Sequence, residues 1–211
     1  EHAAFAGMGA VTGALAASED RPGQRAMAEA VARSVETGRH LIVEAGTGTG
    51  KTLGYLVPAL IAGKRTIVAT ATKALQDQLA SKDLPFLEEH LGRPFEWAVL
   101  KGRSNYVCLQ RLRELSQAGD GQLELEEMAN TTKVEIKRLA TWAGTTRTGD
   151  LAELDWSPTD AATRAVTVSS DECPGATRCP LGQPCFAEGA RARAAAADVI
   201  VVNMHLYGLD V

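Results

Sequence analysis

Residues 45–52 read Ala45-Gly46-Thr47-Gly48-Thr49-Gly50-Lys51-Thr52, set between the apolar run 41–43 and a helix-forming stretch that begins near Gly50. Its glycines let the backbone turn tightly, so that successive N–H groups converge on one anion, helped by the positive end of the following helix. Lys51 then reaches the β- and γ-phosphates of a nucleoside triphosphate, and Thr52 sets its hydroxyl on the accompanying Mg²⁺. Ala45 stands where the usual loop has glycine, a difference of one methyl that is tolerated where φ is negative. A loop of this kind needs a strand before it and a helix after it, which commits the chain to an open α/β sheet.

The flanking sequence supplies that grammar. Pro22 suits a first helical turn, Met27, Val31 and Val35 recur at four-residue spacing, and Gly38 supplies a stop, which together predict an amphipathic helix. Residues 41–43, Leu-Ile-Val, read as a strand buried on both faces. The next helix carries Leu53, Leu56, Val57, Leu60 and Ile61 on its apolar side, is kinked by Pro58 and ends at Gly63. Further strands are predicted at 66–69, 97–100 and 199–202, and helices at 73–84, 123–142 and 187–197. Residues 5–17 are rich in Ala and Gly; without the basic flank and aliphatic centre of a secretory signal, they read as a first helix.

A hydrophobic content of 45% over 211 residues suits a globular core, and no apolar run approaches the ~18 residues that a membrane-spanning helix requires. The net charge of −4 excludes an overall basic coat, so any nucleic-acid binding must use a local basic groove. Four cysteines without an export signal point to a reducing, cytoplasmic setting and to metal ligands or buried thiols rather than disulfides. Cys108, Cys173, Cys179 and Cys185 follow C-x64-C-x5-C-x5-C, the last three among Pro174, Gly175, Pro180, Gly182 and Pro184. Four thiolates are what a [4Fe–4S] cube requires. Structural zinc usually recruits C-x2–4-C pairs, which are absent, but spacing alone leaves cluster, zinc and unliganded thiols open.

Arg21-Pro22-Gly23-Gln24 resembles the adenine-reading segment of superfamily-two helicases, and Ala69-Thr70-Ala71-Thr72-Lys73-Ala74-Leu75-Gln76-Asp77-Gln78-Leu79 resembles their strand-contacting motif. Leu100-Lys101-Gly102-Arg103-Ser104-Asn105-Tyr106-Val107-Cys108 is similar to the stretch that introduces the first cluster cysteine in the XPD and DinG family of DNA helicases. Residues 197–206 resemble that family's strand ending in Asn-His, here with Met204 between Asn203 and His205. The resemblance runs from about Arg21 to near the end of the chain.

It implies that Arg21, Gln24 and residues Ala45, Gly46, Thr47, Gly48, Thr49, Gly50, Lys51 and Thr52 hold ATP and Mg²⁺, with Gln24 on the adenine and Lys51 and Thr52 in the catalytic roles. It also implies that Cys108, Cys173, Cys179 and Cys185 hold a [4Fe–4S] cluster. Thr70, Thr72 and Lys73, then Lys101, Arg103, Asn105 and Tyr106, would touch single-stranded DNA, with Tyr106 as a stacking surface. Helix capping by Thr70 and Thr72 and inward packing of Arg103 and Tyr106 are the structural alternatives.

The expected architecture is therefore a RecA-like P-loop parallel sheet, the first motor domain of a helicase, over 1–107 and 187–211. A mainly helical and loop-built iron–sulphur insertion interrupts it over 108–186. The family implies ATP-driven 5′ to 3′ unwinding of single-stranded or forked DNA in repair or replication, with a second motor domain as partner. The DEAH box is expected just beyond Val211, so this segment by itself is expected to bind nucleotide and turn over little. Two other readings are a nucleotide-binding metal or redox sensor that unwinds nothing, and a nuclease-coupled protein, for which no Asp/Glu constellation is visible.

Overall fold

The computed structural model describes Gly7, Gly9 and residues 22–46, 48–117 and 129–209. Most of the helix expected over 5–17, together with Arg21, Thr47 and the first part of the helix expected over 123–142, lies outside the described residues. In chain order the elements are α1 (Pro22–Thr37), α2 (Lys51–Ile61), β1 (Thr66–Thr70), α3 (Lys73–Gln78), α4 (Leu84–His90), β2 (Trp97–Leu100), α5 (Leu109–Gln117), α6 (Asn130–Ala143), α7 (Asp160–Val166), α8 (Phe186–Ala196), β3 (Val199–Asn203) and α9 (Met204–Leu209). The chain forms two compact units, one of Glu1–Leu100 with Ala194–Val211 and one of Lys101–Arg193. The second is wider than the insertion bounded by the cysteines.

The first unit is α/β. Its sheet is parallel in the order β1-β3-β2, with Thr66 opposite Val199 and Thr70 opposite Asn203 on one side and Trp97 opposite Val199 on the other. β3 is central, and its Val-Ile-Val-Val run is buried throughout, as a parallel strand covered on both faces must be. Period-two alternation divides it. Val199 and Val201 meet Leu56, Val57 and Leu60 of α2 together with Leu79, Leu84 and Leu87. Ile200 and Val202 meet Ala98, Ala194 and Ala197 on the opposite face. The α8 C-terminus is capped from the sheet by Arg65, whose Nη2 donates to the carbonyls of Ala194 and Ala195, each at 3.0 Å.

The helix expected over 73–84 forms and continues to His90, with a π turn at Leu79–Asp83 joining α3 to α4. That wider turn reconciles the spacing of Leu79 and Leu84, both fully buried, with a single core-facing side. α1 also forms, but Gln24, Ala28 and Ala32 are its buried residues while Met27, Val31 and Val35 are only partly covered. Small side chains let α1 and α2 approach closely, which is why the larger apolar residues sit at the rim of that contact. α2 runs unbroken through the buried Pro58.

Residues 41–43 do not form the expected strand. They join no ladder among the described residues, and Ile42 is 97% exposed. A parallel strand needs in-register backbone partners, and β1 makes its ladder with β3 instead. Leu41 and Val43 line a groove with Gly23 and Met27 of α1.

The second unit is helical and turn-rich. Val107, Ile136, Leu139, Ala143, Ala162 and Val166 form its core, flanked by Trp142, Trp156 and Phe186. Thr159 caps α7 by accepting from the Ala162 N–H, and Glu135 of α6 accepts from the Thr159 hydroxyl and its N–H. Among the described residues no helix is long and apolar enough to cross a membrane.

Candidate functional site

Two constellations stand out, one in each unit. In the first, Gly48 and Gly50 take φ of 75° and 73°, and α2 starts directly after Gly50, so the unpaired N–H groups of its first turn face the loop. Lys51 turns back over the loop: its Nζ donates to the carbonyl of Ala45 at 3.0 Å and to that of Gly46. The Thr49 hydroxyl donates to the Gly46 carbonyl at 3.0 Å, a second internal tie. Burial pushes the Tyr55 phenol above its ordinary pKa, against a smaller lowering by the neighbouring Thr52 side chain.

Gln24 reaches this loop from α1. It is 5% exposed, and its Nε2 donates to the Gly50 carbonyl at 2.8 Å. A Cβ on Gly50 would lie 2.0 Å from that nitrogen, so any other residue there would have to displace the Gln24 carboxamide besides adopting a positive φ. The groove beside it, about 500 Å³, is lined by Gln24, Met27, Leu41, Val43 and Thr49. Gln24, Ala45, Gly46, Gly48, Thr49, Gly50, Lys51 and Thr52 thus form one continuous site.

At the C-terminal end of β1, Thr70 is 2% exposed and its hydroxyl donates to the Thr72 and Val202 carbonyls at 3.2 and 3.4 Å. Thr72 caps α3, accepting from the Leu75 N–H at 3.3 Å. Lys73 follows it, exposed. Asn203 closes β3 by accepting from the His205 N–H at 2.9 Å. Capping therefore engages the Thr72 side chain, while Lys73 is the basic side chain of this motif and is exposed.

In the second unit, the residues expected to touch DNA are engaged internally. Lys101 pairs with Asp150 at 2.6 Å, and Arg103 pairs with Glu188. Asn105 Nδ2 donates to the Gly102 carbonyl at 3.0 Å. Tyr106 is 4% exposed, packs with Ala187 and Ala190, and accepts the Lys101 N–H on its hydroxyl at 3.3 Å. Its ring offers no face for a base to stack on. Asp150 and Glu188, far along the chain from their partners, carried no sequence signal.

All four cysteines line one cavity of about 310 Å³, and none is in a disulfide. Cys108 is fixed by its N–H to the Val166 carbonyl at 2.7 Å and stands directly before α5. Burial pushes its thiol up, opposed by the backbone N–H groups of Arg111 and Gln110. The other three lie on successive turns: Cys179 N–H to Gly175 O at 3.0 Å, Gly182 N–H to Cys179 O at 3.0 Å, and Cys185 N–H to Gly182 O at 3.4 Å. A Cβ on Gly182 would lie 2.0 Å from the Ala176 carbonyl oxygen, so the loop can fold this tightly only with glycine there. Among the described residues no three Cys, His, Asp or Glu side chains converge closely enough to hold a single metal ion.

A parallel α/β sheet with a glycine-rich, lysine-ended loop heading its second helix defines a nucleotide-binding protein of the P-loop class. Residues 21–142 match the DEAD/DEAH box helicase family, and the chain belongs to that family. It is 45% identical over 206 residues to the ATP-dependent helicase DinG of Mycobacterium tuberculosis, a match covering 90% of this chain and 31% of that protein. It is 43% identical over 207 residues to the ATP-dependent DNA helicase YoaA of Escherichia coli, covering 98% of this chain and 31% of that protein. A protein named 3'-5' exonuclease DinG in Bacillus subtilis is 36% identical over 141 residues, 65% of this chain and 14% of its own length. The chain thus spans about a third of the length of the first two relatives.

Proposed function

We propose that this chain is the nucleotide-binding part of an ATP-dependent DNA helicase with a RecA-like first motor domain, interrupted by an iron–sulphur insertion. One observation carries the reading: Lys51, the glycine loop and Gln24 are joined at one point at the head of α2. In this reading the loop N–H groups and Lys51 hold the triphosphate, with the Lys51 ammonium exchanging the Ala45 and Gly46 carbonyls for phosphate oxygens. Thr52 would hold the accompanying Mg²⁺ through its hydroxyl. The groove between α1 and residues 41–45 receives the base, with Gln24 at its edge; the family resemblance adds Arg21 to this set.

The four thiols suit a [4Fe–4S] cluster by their chemistry and placement. Tetrahedral zinc with Zn–S bonds of about 2.3 Å would draw its sulphurs to within about 3.8 Å of one another. A cube binds each thiolate to a different iron and spaces them more widely, and the four cysteines line one cavity. When bound, such a cluster cross-links a loop that has few apolar residues of its own. Lys73, at the head of α3, is proposed as a backbone-phosphate contact, with Thr70 and Thr72 shaping the turn that presents it. Lys101, Arg103, Asn105 and Tyr106 are proposed to brace the wall beside the strand path. The XPD and DinG resemblance extends the proposal to 5′ to 3′ movement on single-stranded or forked DNA in repair or replication, together with a second motor domain.

The test is ATP-dependent strand displacement on a forked duplex by the helicase carrying this segment, alongside its Lys51→Ala form. The proposal expects displacement by the first and not by the second. Equal displacement by both, or none by either with ATP bound, would overturn it.

A further inference from the structure

Gln110 presents a buried polar atom without a partner at the wall of the cysteine cavity. It is the second residue of α5 and lines that cavity with Cys108, Cys173, Cys179 and Cys185. Its Nε2 points outward and donates to Glu114 Oε1 at 2.9 Å. Its Oε1 is buried and accepts nothing. A buried acceptor without a donor bears the full cost of its lost hydration, so such a group calls for a ligand or a second arrangement.

The sulphurs supply the reason for a second arrangement. Cluster-bound thiolates and bridging sulphides only accept, and even the protonated thiols, weak donors at best, do not reach this oxygen. Oε1 is thus unserved in the metal-free protein and would be an acceptor among acceptors beside a cluster. Rotation about the terminal torsion of Gln110 exchanges oxygen and nitrogen without changing the shape of the side chain. Glu114, left without its donor, is already 3.8 Å from the Arg111 guanidinium and half exposed to water.

We infer that Gln110 is a positioning residue for the cluster, turning its carboxamide so that Nε2–H donates to a cluster sulphur while Glu114 passes to Arg111. This rests on the cluster reading above. Hydrogen bonds to cluster sulphurs stabilise the more negative, reduced form and so raise the reduction potential.

The experiment uses the anaerobically purified protein and its Gln110→Leu and Gln110→Glu forms, with iron content and the EPR-monitored midpoint potential as readouts. Both variants are expected to keep iron, and both to titrate at a lower potential than wild type, Gln110→Glu the lower of the two because it adds a negative charge. A wild-type protein labelled with ¹⁵N only at glutamine side-chain amides is expected to show a weakly coupled nitrogen in pulsed EPR of the reduced cluster. That measurement needs no variant. Iron-bearing protein with no such coupling, and with variant potentials equal to wild type, would overturn the role of Gln110 alone. Wild-type protein that holds no iron would overturn the cluster reading itself.

Discussion

Gln24 Nε2 donates to the carbonyl of Gly50 at 2.8 Å, tying the first helix to the last glycine of the phosphate loop. The same carbonyl accepts from the Gly54 N–H at 3.1 Å, so Gln24 is a second donor on an atom that also belongs to the α2 ladder. A residue proposed to read a base thereby also braces the glycine loop. Gln24→Ala is expected to lower stability by about 1–3 kcal/mol in urea denaturation. It is also expected to weaken ATP and GTP binding together, ATP the more. A loss confined to ATP, at unchanged stability, would show that Gln24 acts on the base alone.

Gly50 faces a stricter constraint than its neighbours. Gly50→Ala puts a methyl 2.0 Å from Gln24 Nε2 and forces an L-residue to φ of 73°. The backbone strain alone is worth about 1–3 kcal/mol. Combining it with Gln24→Ala removes the collision and leaves the strain, so the double variant is expected to lose less stability than the two single losses added together. Strict additivity in a denaturation cycle would mean that the two side chains do not meet.

Tyr106 separates packing from stacking. It is buried, with Ala187 and Ala190 against it. Tyr106→Ala is expected to destabilise the second unit by about 3–5 kcal/mol, the range for truncating a core aromatic. Tyr106→Phe removes only the acceptor for the Lys101 N–H, at a cost of about 1 kcal/mol, and leaves the ring in place. Were Tyr106→Ala as stable as wild type and merely weaker on single-stranded DNA, the ring would have to be a base-stacking surface.

Much of this arrangement was legible from residue pattern. The Val-Ile-Val-Val run of β3 could only be a strand covered on both faces, and it lies at the centre of the sheet. The phosphate loop was fixed by its own chemistry, since positive φ at Gly48 and Gly50 is what glycine at those positions signals. Residues 41–43 carry the same apolar signature as β3 yet pair with nothing described, because periodicity reports apolarity and a ladder depends on a partner elsewhere in the chain. The buried side of α1 escapes the apolar pattern for a related reason. Ala28 and Ala32 weigh little in a hydrophobic pattern but allow the closest helix contact. Lys101 and Arg103 looked available to phosphate because nothing in the sequence links them to Asp150 and Glu188.

The cysteine cavity yields a prediction about metal. Replacing Cys108, Cys173, Cys179 or Cys185 singly by Ser is expected to reduce iron per chain sharply and to lower the unfolding midpoint of the second unit, because a bound metal centre contributes its binding free energy to the fold. Metal analysis after anaerobic purification, together with a thermal melt, reads both effects. A full complement of iron in any of the four variants would remove that cysteine from the ligand set, and zinc in place of iron in the wild type would replace the cluster with a mononuclear site.

The nucleotide site is the centre of this account, and Lys51 is its most exacting point. Calorimetric titration of Mg–ATP into the wild-type chain and into Lys51→Ala tests it most directly. One saturable site per chain is predicted for wild type, with affinity reduced about tenfold or more in the variant, the weight of a charge-assisted contact to phosphate. Equal affinity in the two proteins, or no binding to the wild type, would contradict it.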